Sequence, residues 1–146
     1  MLENIQFLAT LSTALFCGAA IYINVAEQPS RRTLDSQSAV AQWAASYKRA
    51  TWMQAPLAIV GFLAGAGVWL LGGGLLWLIA CLLIGAVVPF TLIIIMPINQ
   101  RLLTSPLSAT EAPELLERWA KLHSIRTLLS ATATVLMLLR PLSDDR

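Results

Sequence analysis

Four long apolar segments run along the chain, and polar residues collect between the first and second and between the third and fourth. Each segment approaches about 20 residues, the length that an α-helix needs to cross a hydrocarbon core of about 30 Å. This pattern predicts an all-α fold: an integral membrane antiparallel four-helix bundle, formed as a single domain by residues 1–146. The approximate predicted spans are residues 5–25, 52–71, 75–96 and 119–139.

Helices 2 and 4 are predicted to extend beyond the bilayer. The helical pattern that leads into the second span begins near Ser38, and the one that leads into the fourth begins between Thr110 and Pro113. Acidic residues and a proline suit the positive end of that fourth helix. Arg140 and Pro141 are expected to end it.

Prolines and glycines mark the predicted breaks. Pro29 is expected to end the first helix, and residues 30–38 to form a loop. The uncharged residues 72–74, all glycine, predict a turn between two antiparallel helices. Residues 101–110 are predicted to form a second polar loop.

Three further prolines lie inside or beside predicted spans. Pro56 is expected to kink the second helix. Pro89 and Pro97 each remove a backbone donor from the third helix, and the Thr91 hydroxyl can bond a carbonyl that such a proline frees.

The composition supports the membrane class. Hydrophobic residues make up 57% of the chain and charged residues only 12%, against roughly 25% charged residues in soluble domains. The net charge of +2 is too small to indicate nucleic acid as a partner. No basic residue precedes the first apolar segment, so that segment is expected to be a retained span rather than a cleaved signal peptide.

The basic residues predict an orientation in the membrane. Most of them lie in the two polar connections, residues 26–50 and 98–118, whereas the opposite side has Arg140 and Arg146. The positive-inside rule therefore places both connections in the cytoplasm and both termini outside, in a multi-pass protein of the plasma (inner) membrane.

The cysteines and the histidine do not form a metal-binding pattern. Cys17 and Cys81 lie in separate apolar segments and are expected to be buried thiols rather than a disulfide. One histidine, His123, is too few for a zinc or di-iron site built from protein ligands alone. A haem held by this single histidine remains an alternative. The chain also lacks the GxGxxG, GKS/T and GxSxG motifs.

The fourth span opens with polar residues at helical spacing. Trp119, His123, Arg126 and Ser130 fall on one face of a helix. Ionisable side chains at this depth usually face a bundle interior or a water-filled cavity. The other helices place polar or aromatic residues at the same level, namely Asn24, Glu27, Trp43, Tyr47, Gln54, Thr91 and Asn99. Together they predict a pocket at the loop-side leaflet for an apolar or aromatic small molecule or a lipid.

Each of these residues also has a structural interpretation. The aromatic residues are typical of an interfacial belt, the asparagines can cap helix ends, and Arg126 can extend to the headgroups. His123 can be an ordinary buried histidine. Glu27 can be solvated, or it can be held by a cation such as Arg31, Arg32 or Arg126.

Small residues form a patch on the second helix. Gly61, Gly65 and Gly67 lie close together there, with Ala64 and Ala66 between them. Such a patch permits close helix packing. That packing can occur within the bundle or between copies of the chain, so a homo-oligomer is one of two open interpretations.

Several of these residues belong to an ordered set of short motifs between Gly18 and Leu129. The motifs are Asn24-x-x-Glu27-x-Pro29, Trp43-x-x-x-Tyr47-x-Arg49, Pro89-Phe90-Thr91, Pro97-x-Asn99-x-x-Leu102 and Trp119-x-x-x-His123-x-x-Arg126. This set resembles the anthrone oxygenase-like family of small four-helix membrane proteins. The resemblance implies oxidation of an anthrone to an anthraquinone by dioxygen, with no metal or flavin as cofactor.

The resemblance also implies roles for individual residues. Glu27, Asn99, His123 and Arg126 match the polar positions of the family and are the candidate catalytic residues. His123, kept neutral by burial, would be the base, and Arg126 with Asn99 would hold an oxyanion. Glu27 would orient His123 or balance Arg126. The candidate substrate-binding residues are Asn24, Trp43, Tyr47, Thr91 and Trp119.

Two hypotheses about function follow. The first is a cofactor-independent oxygenase, hence an oxidoreductase, that acts on a flat phenolic or anthrone-like substrate. The alternative is a membrane protein without catalytic activity that binds a lipid, a quinone or a partner subunit through the same polar cluster.

Overall fold

The fold consists of four long helices. A computed structural model describes residues 1–104 and 106–143 of the chain. The helices are α1 (Leu2–Arg31), α2 (Ser36–Gly73), α3 (Leu75–Leu103) and α4 (Glu111–Ser143). All four are long and apolar enough to cross a membrane, and the described residues form no strand. The predicted all-α, multi-pass membrane fold is therefore confirmed.

The outer surface of the bundle is apolar, as a lipid-facing surface must be. Phe7, Leu70, Ile93 and Leu128, one from each helix, are between 67% and 75% exposed. Nearly all backbone polar groups of a spanning helix are satisfied within the helix, so such a surface is compatible with lipid. The limits of the four spans, the assignment of residues 1–146 to one domain and the extension of helices 2 and 4 beyond the bilayer stay predictions.

The connections between helices are shorter than the sequence predicted. α1 continues through Pro29, so the loop predicted over residues 30–38 is reduced to residues 32–35. α3 continues to Leu103, so the second loop begins at Thr104 rather than at residue 101. α4 continues past Pro141 to Ser143, and Arg146 lies outside the described residues.

Two prolines are accommodated by π-helical turns. One such turn, Ile23–Glu27, precedes Pro29, and another, Thr91–Ile95, precedes Pro97. Each proline then stands in the first turn of a new α-helical segment, where a missing backbone N–H is tolerated. For this reason Pro29 does not end α1.

Pro56 and Pro89 lie inside continuous helices, and the kink expected at Pro56 stays a prediction. The helical assignment of α2 continues through Pro56, and that of α3 continues through Pro89. Near Pro89 the Thr91 hydroxyl donates to the carbonyl oxygen of Val87 at 2.7 Å. Pro89 removes the donor to the carbonyl oxygen of Gly85, four residues earlier, so the expectation that Thr91 bonds a carbonyl freed by a proline is wrong.

Local signals set the limits of α2. Asp35 caps its first turn, because one carboxylate oxygen accepts from the backbone N–H groups of Gln37 and Ser38 at 3.1 and 3.0 Å. A hydrogen bond with the Ser38 side chain, followed by the one from the Ser38 backbone N–H, lowers the pKa of the Asp35 carboxyl. At the other end Gly72 and Gly74 have φ values of 90° and 86°. Glycine adopts such values at little cost, so the predicted turn is confirmed.

Ion pairs fasten the loop-side ends of the helices. Arg32 donates to both carboxylate oxygens of Glu117 at 2.6 and 3.0 Å, which ties the end of α1 to α4. Arg101 donates to both carboxylate oxygens of Glu111 at 2.7 and 2.9 Å, which ties α3 to α4. Bidentate pairs of this kind fix geometry as well as charge.

The helices close into a ring in which α1 and α3 each pack against both α2 and α4. Glycines of α2 allow the close approaches. A Cβ atom built on Gly61 would lie 2.6 Å from Thr13 Oγ1 of α1, and one built on Gly67 would lie 3.8 Å from Ile5. Numbering falls along α1 as it rises along α2, so these two helices run in opposite directions.

The small-residue patch therefore packs within the bundle. A Cβ atom on Gly65 would meet Cys81 Cβ of α3 at 2.9 Å and Met137 Cε of α4 at 3.3 Å. Cys17 and Cys81 are both buried free thiols, as predicted. Whether copies of the chain also associate stays a prediction.

Buried apolar side chains form two clusters. One surrounds Phe16, Trp77 and Ile84, towards the glycine turn, and the other surrounds Trp43 and Trp119, towards the polar connections. The candidate site described below has walls from both clusters.

Replacing Gly65 by leucine is expected to destabilise the bundle by about 1–3 kcal/mol, because the added atoms have no room against Cys81 and Met137. Thermal unfolding in detergent micelles measures the effect. Gly18→Leu is the matched control, since a Cβ atom there meets nothing within 4 Å. Equal unfolding midpoints for the two variants would contradict the packing described.

Candidate functional site

A cavity of about 130 Å³ lies where the two buried clusters meet. All four helices contribute to its wall. From the face predicted on α4, Trp119, His123 and Arg126 line it, whereas Ser130 does not. The polar and aromatic lining residues are Phe16, Glu27, Arg31, Trp43, Ser46, Tyr47, Thr51, Gln54, Thr91, Trp119, His123 and Arg126.

His123 is held by a hydrogen bond from α4 to α1. Its Nδ1 atom lies 2.9 Å from Asn24 Oδ1, and the side chain is 1% exposed. Asn24 Nδ2 in turn donates to Thr127 Oγ1 at 2.8 Å, and the Thr127 hydroxyl donates to the His123 carbonyl oxygen at 3.3 Å.

This chain of hydrogen bonds determines the tautomer of His123. The single Thr127 hydroxyl proton is used on the His123 carbonyl oxygen, so Thr127 must accept from Asn24. The Asn24 amide is thereby oriented with its oxygen towards the imidazole, and Nδ1 must donate. His123 Nε2 therefore carries a lone pair, and it has no partner within the described protein. The imidazole is arranged as a base.

Aromatic rings continue from the histidine along one wall of the cavity. The Trp119 ring stacks on His123 at 4.8 Å between centroids, with an interplanar angle of 26°. Trp43 meets Trp119 edge to face at 5.8 Å, and Tyr47 stacks on Trp43 at 5.0 Å and 6°. Flat, apolar walls of this kind suit a planar aromatic ligand.

Arg126 is a cation without a carboxylate partner among the described residues. Its Nη2 atom donates to Gln54 Oε1 at 2.9 Å, and its guanidinium carbon lies 5.4 Å from the centroid of the Phe16 ring. None of the ion pairs of the described chain includes it. An uncompensated buried charge is costly, so the site favours negative charge on whatever it binds.

Glu27 does not perform the task that the sequence suggested. Its carboxylate accepts from Arg31 Nη2 at 3.2 Å and from the Ser46 hydroxyl at 2.6 Å. Its partner is therefore the local Arg31 rather than Arg32 or Arg126. Asn24 orients His123 instead, so the expectation that Glu27 orients His123 or balances Arg126 is wrong, because the carboxylate is already engaged one helical turn away.

Arg31 is a second cation at the cavity, which the sequence indicated as one of three candidate partners of Glu27 but not as a cavity residue. It is 2% exposed, and it also donates to Gln28 and Gln42, each at 2.6 Å. Its guanidinium lies 5.7 Å from the centroid of the Trp119 ring. Glu27 and Arg31 are four residues apart in the sequence, and this spacing is what indicated that they could form an ion pair. Nothing in the sequence marked Ser46.

Two predicted site residues do not line the cavity. Asn24 lies behind His123 and acts on it rather than facing the interior. Asn99 is 1% exposed, and neither atom of its amide has a partner within the described residues. A role for Asn99 at an oxyanion stays a prediction.

Four lining residues have a polar atom that is buried and without a partner in the described chain. These atoms are Trp43 Nε1, Gln54 Nε2, His123 Nε2 and Arg126 Nε. Buried polar groups are normally hydrogen-bonded, so several unpaired groups around one cavity are unusual. With Nδ1–H on the histidine, the set comprises three donors and one acceptor. No group of three His, Cys, Asp or Glu residues within the described ranges could hold a metal ion.

The chain is thus a four-helix membrane protein with an aromatic-walled cavity that contains a free imidazole nitrogen and an unpaired cation. The family described as anthrone oxygenase matches residues 43–136, more than half of the chain, and the chain belongs to that family. The resemblance noted in the motifs is confirmed. No curated protein and no solved structure shows a significant match.

The family match contains most of the cavity. It includes the aromatic wall, Gln54, His123 and Arg126, whereas α1 lies before its first residue. The Asn24 side chain that orients the histidine thus comes from outside the matched region.

Selective ¹⁵N labelling of histidine reports on His123 alone, because the chain has one histidine. The wild-type spectrum is expected to show a neutral ring with the proton on Nδ1. Asn24→Leu should shift the population towards the Nε2–H form, since it removes the acceptor 2.9 Å away. Thr134→Val is the control, because the Thr134 hydroxyl donates to the Ser130 carbonyl oxygen and has no hydrogen bond with Asn24, Thr127 or His123. A wild-type ring protonated at Nε2 would contradict the assignment.

Proposed function

We propose that this protein is a cofactor-independent oxygenase that acts on a flat phenolic or anthrone-like substrate in the cavity. The observation that carries the proposal is the pairing, one turn apart on α4, of the unpartnered His123 Nε2 with the uncompensated Arg126. Membership of the anthrone oxygenase family supports the reaction class.

His123 starts the reaction as a general base. The ring C–H group of an anthrone is acidic, because its loss gives an aromatic phenolate-type anion. Nε2 takes this proton, and Asn24 Oδ1 stabilises the resulting imidazolium through the Nδ1–H group. The tautomer inferred from the contacts of Asn24 is the one that this step requires.

Arg126 holds the negative charge that the proton leaves behind. The anion develops on the carbonyl oxygen of the substrate, and a guanidinium without a competing carboxylate is available to bind it. The stacked wall formed by Trp43, Tyr47 and Trp119 aligns the rings of the substrate.

The later steps balance without a cofactor. The anion gives one electron to dioxygen, and the substrate radical and superoxide combine to form a carbon–oxygen bond. The peroxide takes up the proton from His123. Loss of the second hydrogen of that carbon as a proton, with cleavage of the O–O bond, forms the new carbonyl and releases hydroxide, which becomes water. Anthrone and dioxygen thus give anthraquinone and water.

Oxygen uptake tests the proposal. Purified protein with emodin anthrone is expected to consume dioxygen faster than empty micelles, and His123→Gln should lower this rate by about 10²-fold or more, since it removes the base. Ser124→Ala is the matched control on the same helix, because that hydroxyl bonds only the Ala120 carbonyl oxygen.

Two outcomes would reject the oxygenase. One is an uptake rate equal to that of empty micelles, and the other is unchanged activity in folded His123→Gln. Tight binding of a lipid or quinone without oxygen uptake would favour the alternative of a binding protein.

We also propose that the protein lies in the plasma (inner) membrane with both polar connections in the cytoplasm. The positive-inside rule supports this orientation. Cysteine introduced at exposed Gln37 is expected to react with an impermeant maleimide only after the membrane is opened. Both native cysteines are buried, so the background should be low. Labelling of intact cells at residue 37 would reverse the orientation.

A further inference from the structure

Gln54 is the residue through which α2 reaches the cation of the site. It is 3% exposed and lines the cavity. Its Oε1 atom accepts from Arg126 Nη2 at 2.9 Å, whereas its Nε2 atom has no partner in the described chain. The proposed reaction above assigns it no role.

The orientation of the Gln54 amide follows from chemistry. A guanidinium has only donors, so the atom of the amide that faces Arg126 must be the oxygen. The NH₂ group of Gln54 is then directed away from that contact, and it remains a donor. Arg126 thereby fixes Gln54 as a second donor beside its own charge.

We propose that Gln54 and Arg126 form one subsite that recognises an anionic oxygen of the ligand, a phenolate or an enolate. Gln54 Nε2 and Arg126 Nε each donate to this oxygen, and both atoms are buried and unpartnered in the protein alone. The assignment rests on the proposed function in that it concerns the same cavity and gives the substrate class of that site.

The charge balance supports an anion rather than a neutral carbonyl. Arg126 receives an acceptor but no negative charge from Gln54, so its positive charge is uncompensated by the described residues. The other cavity cation differs, because Arg31 is paired with Glu27 at 3.2 Å. The Gln54 end of the cavity is therefore the end that an anionic oxygen should occupy.

The chain contains a matched control for this subsite. Gln42 is also on α2 and also accepts from an arginine, at 2.6 Å from Arg31 Nε, but it does not line the cavity. The same substitution, glutamine to glutamate, can therefore be made at a residue that faces the cavity and at one that does not.

The probe is 1,8-dihydroxyanthraquinone, whose phenol and phenolate forms differ in visible absorbance. Its dissociation constant is measured for both forms in micelles with wild-type protein, Gln54→Glu, Gln54→Leu and Gln42→Glu. Wild type should bind the phenolate more tightly than the phenol. Both Gln54 variants should weaken phenolate binding by about 10- to 100-fold, the effect of losing a hydrogen bond to a charged group. Gln42→Glu should leave it unchanged.

Circular dichroism and unfolding midpoints identify the variants that remain folded, and Gln54→Leu serves if Gln54→Glu does not. An unchanged phenolate affinity in a folded Gln54 variant would overturn the assignment, as would an equal loss in Gln42→Glu. If wild type did not consume oxygen but phenolate affinity still depended on Gln54, only the oxygenase would be rejected. Oxygen uptake without the Gln54 dependence would reject only this subsite.

Discussion

The hydrogen bond between Asn24 Oδ1 and His123 Nδ1 is the contact on which the site depends. It joins α1 to α4 inside the bundle, where His123 is 1% exposed. Because Thr127 fixes the Asn24 amide, the bond also decides which imidazole nitrogen is free. This one contact therefore sets both the orientation of the histidine and which of its nitrogens can act as a base. The imidazole ring also stacks on Trp119, where the aromatic wall of the cavity begins.

Much of the fold could be predicted from the sequence, because a bilayer restricts what an apolar segment of about 20 residues can do. The helix ends were harder. Pro29 was expected to stop α1, yet a π-helical turn before it allows the helix to continue to Arg31. Whether such a turn forms depends on packing against other helices, which the local sequence does not contain.

The sequence predicted which residues lie at the candidate site better than it predicted the hydrogen bonds between them. The spacing of Trp119, His123 and Arg126 placed them on one face, and all three line the cavity. Their hydrogen-bond partners depend on how the other helices are rotated about their axes. Glu27 was therefore expected to contact His123 or Arg126, whereas Asn24 contacts His123 and Gln54 contacts Arg126. The small side chain of Ser46 had no periodic or chemical signal to single it out.

The π-helical turns change how the spacing of residues along the sequence relates to the faces of α1 and α3 on which they lie. Each one holds an extra residue that an α-helix would not need, so the faces before and after it are out of α-helical phase. Deleting one residue within Ile23–Glu27 would restore the α-helical repeat and leave the direction of Arg31 nearly unchanged. The same deletion in an α-helical part of α1 would instead turn the residues on one side of it by about 100°. A relative one residue shorter within this turn would then present the same side chains to the cavity, although every residue after the turn is shifted by one position in its sequence.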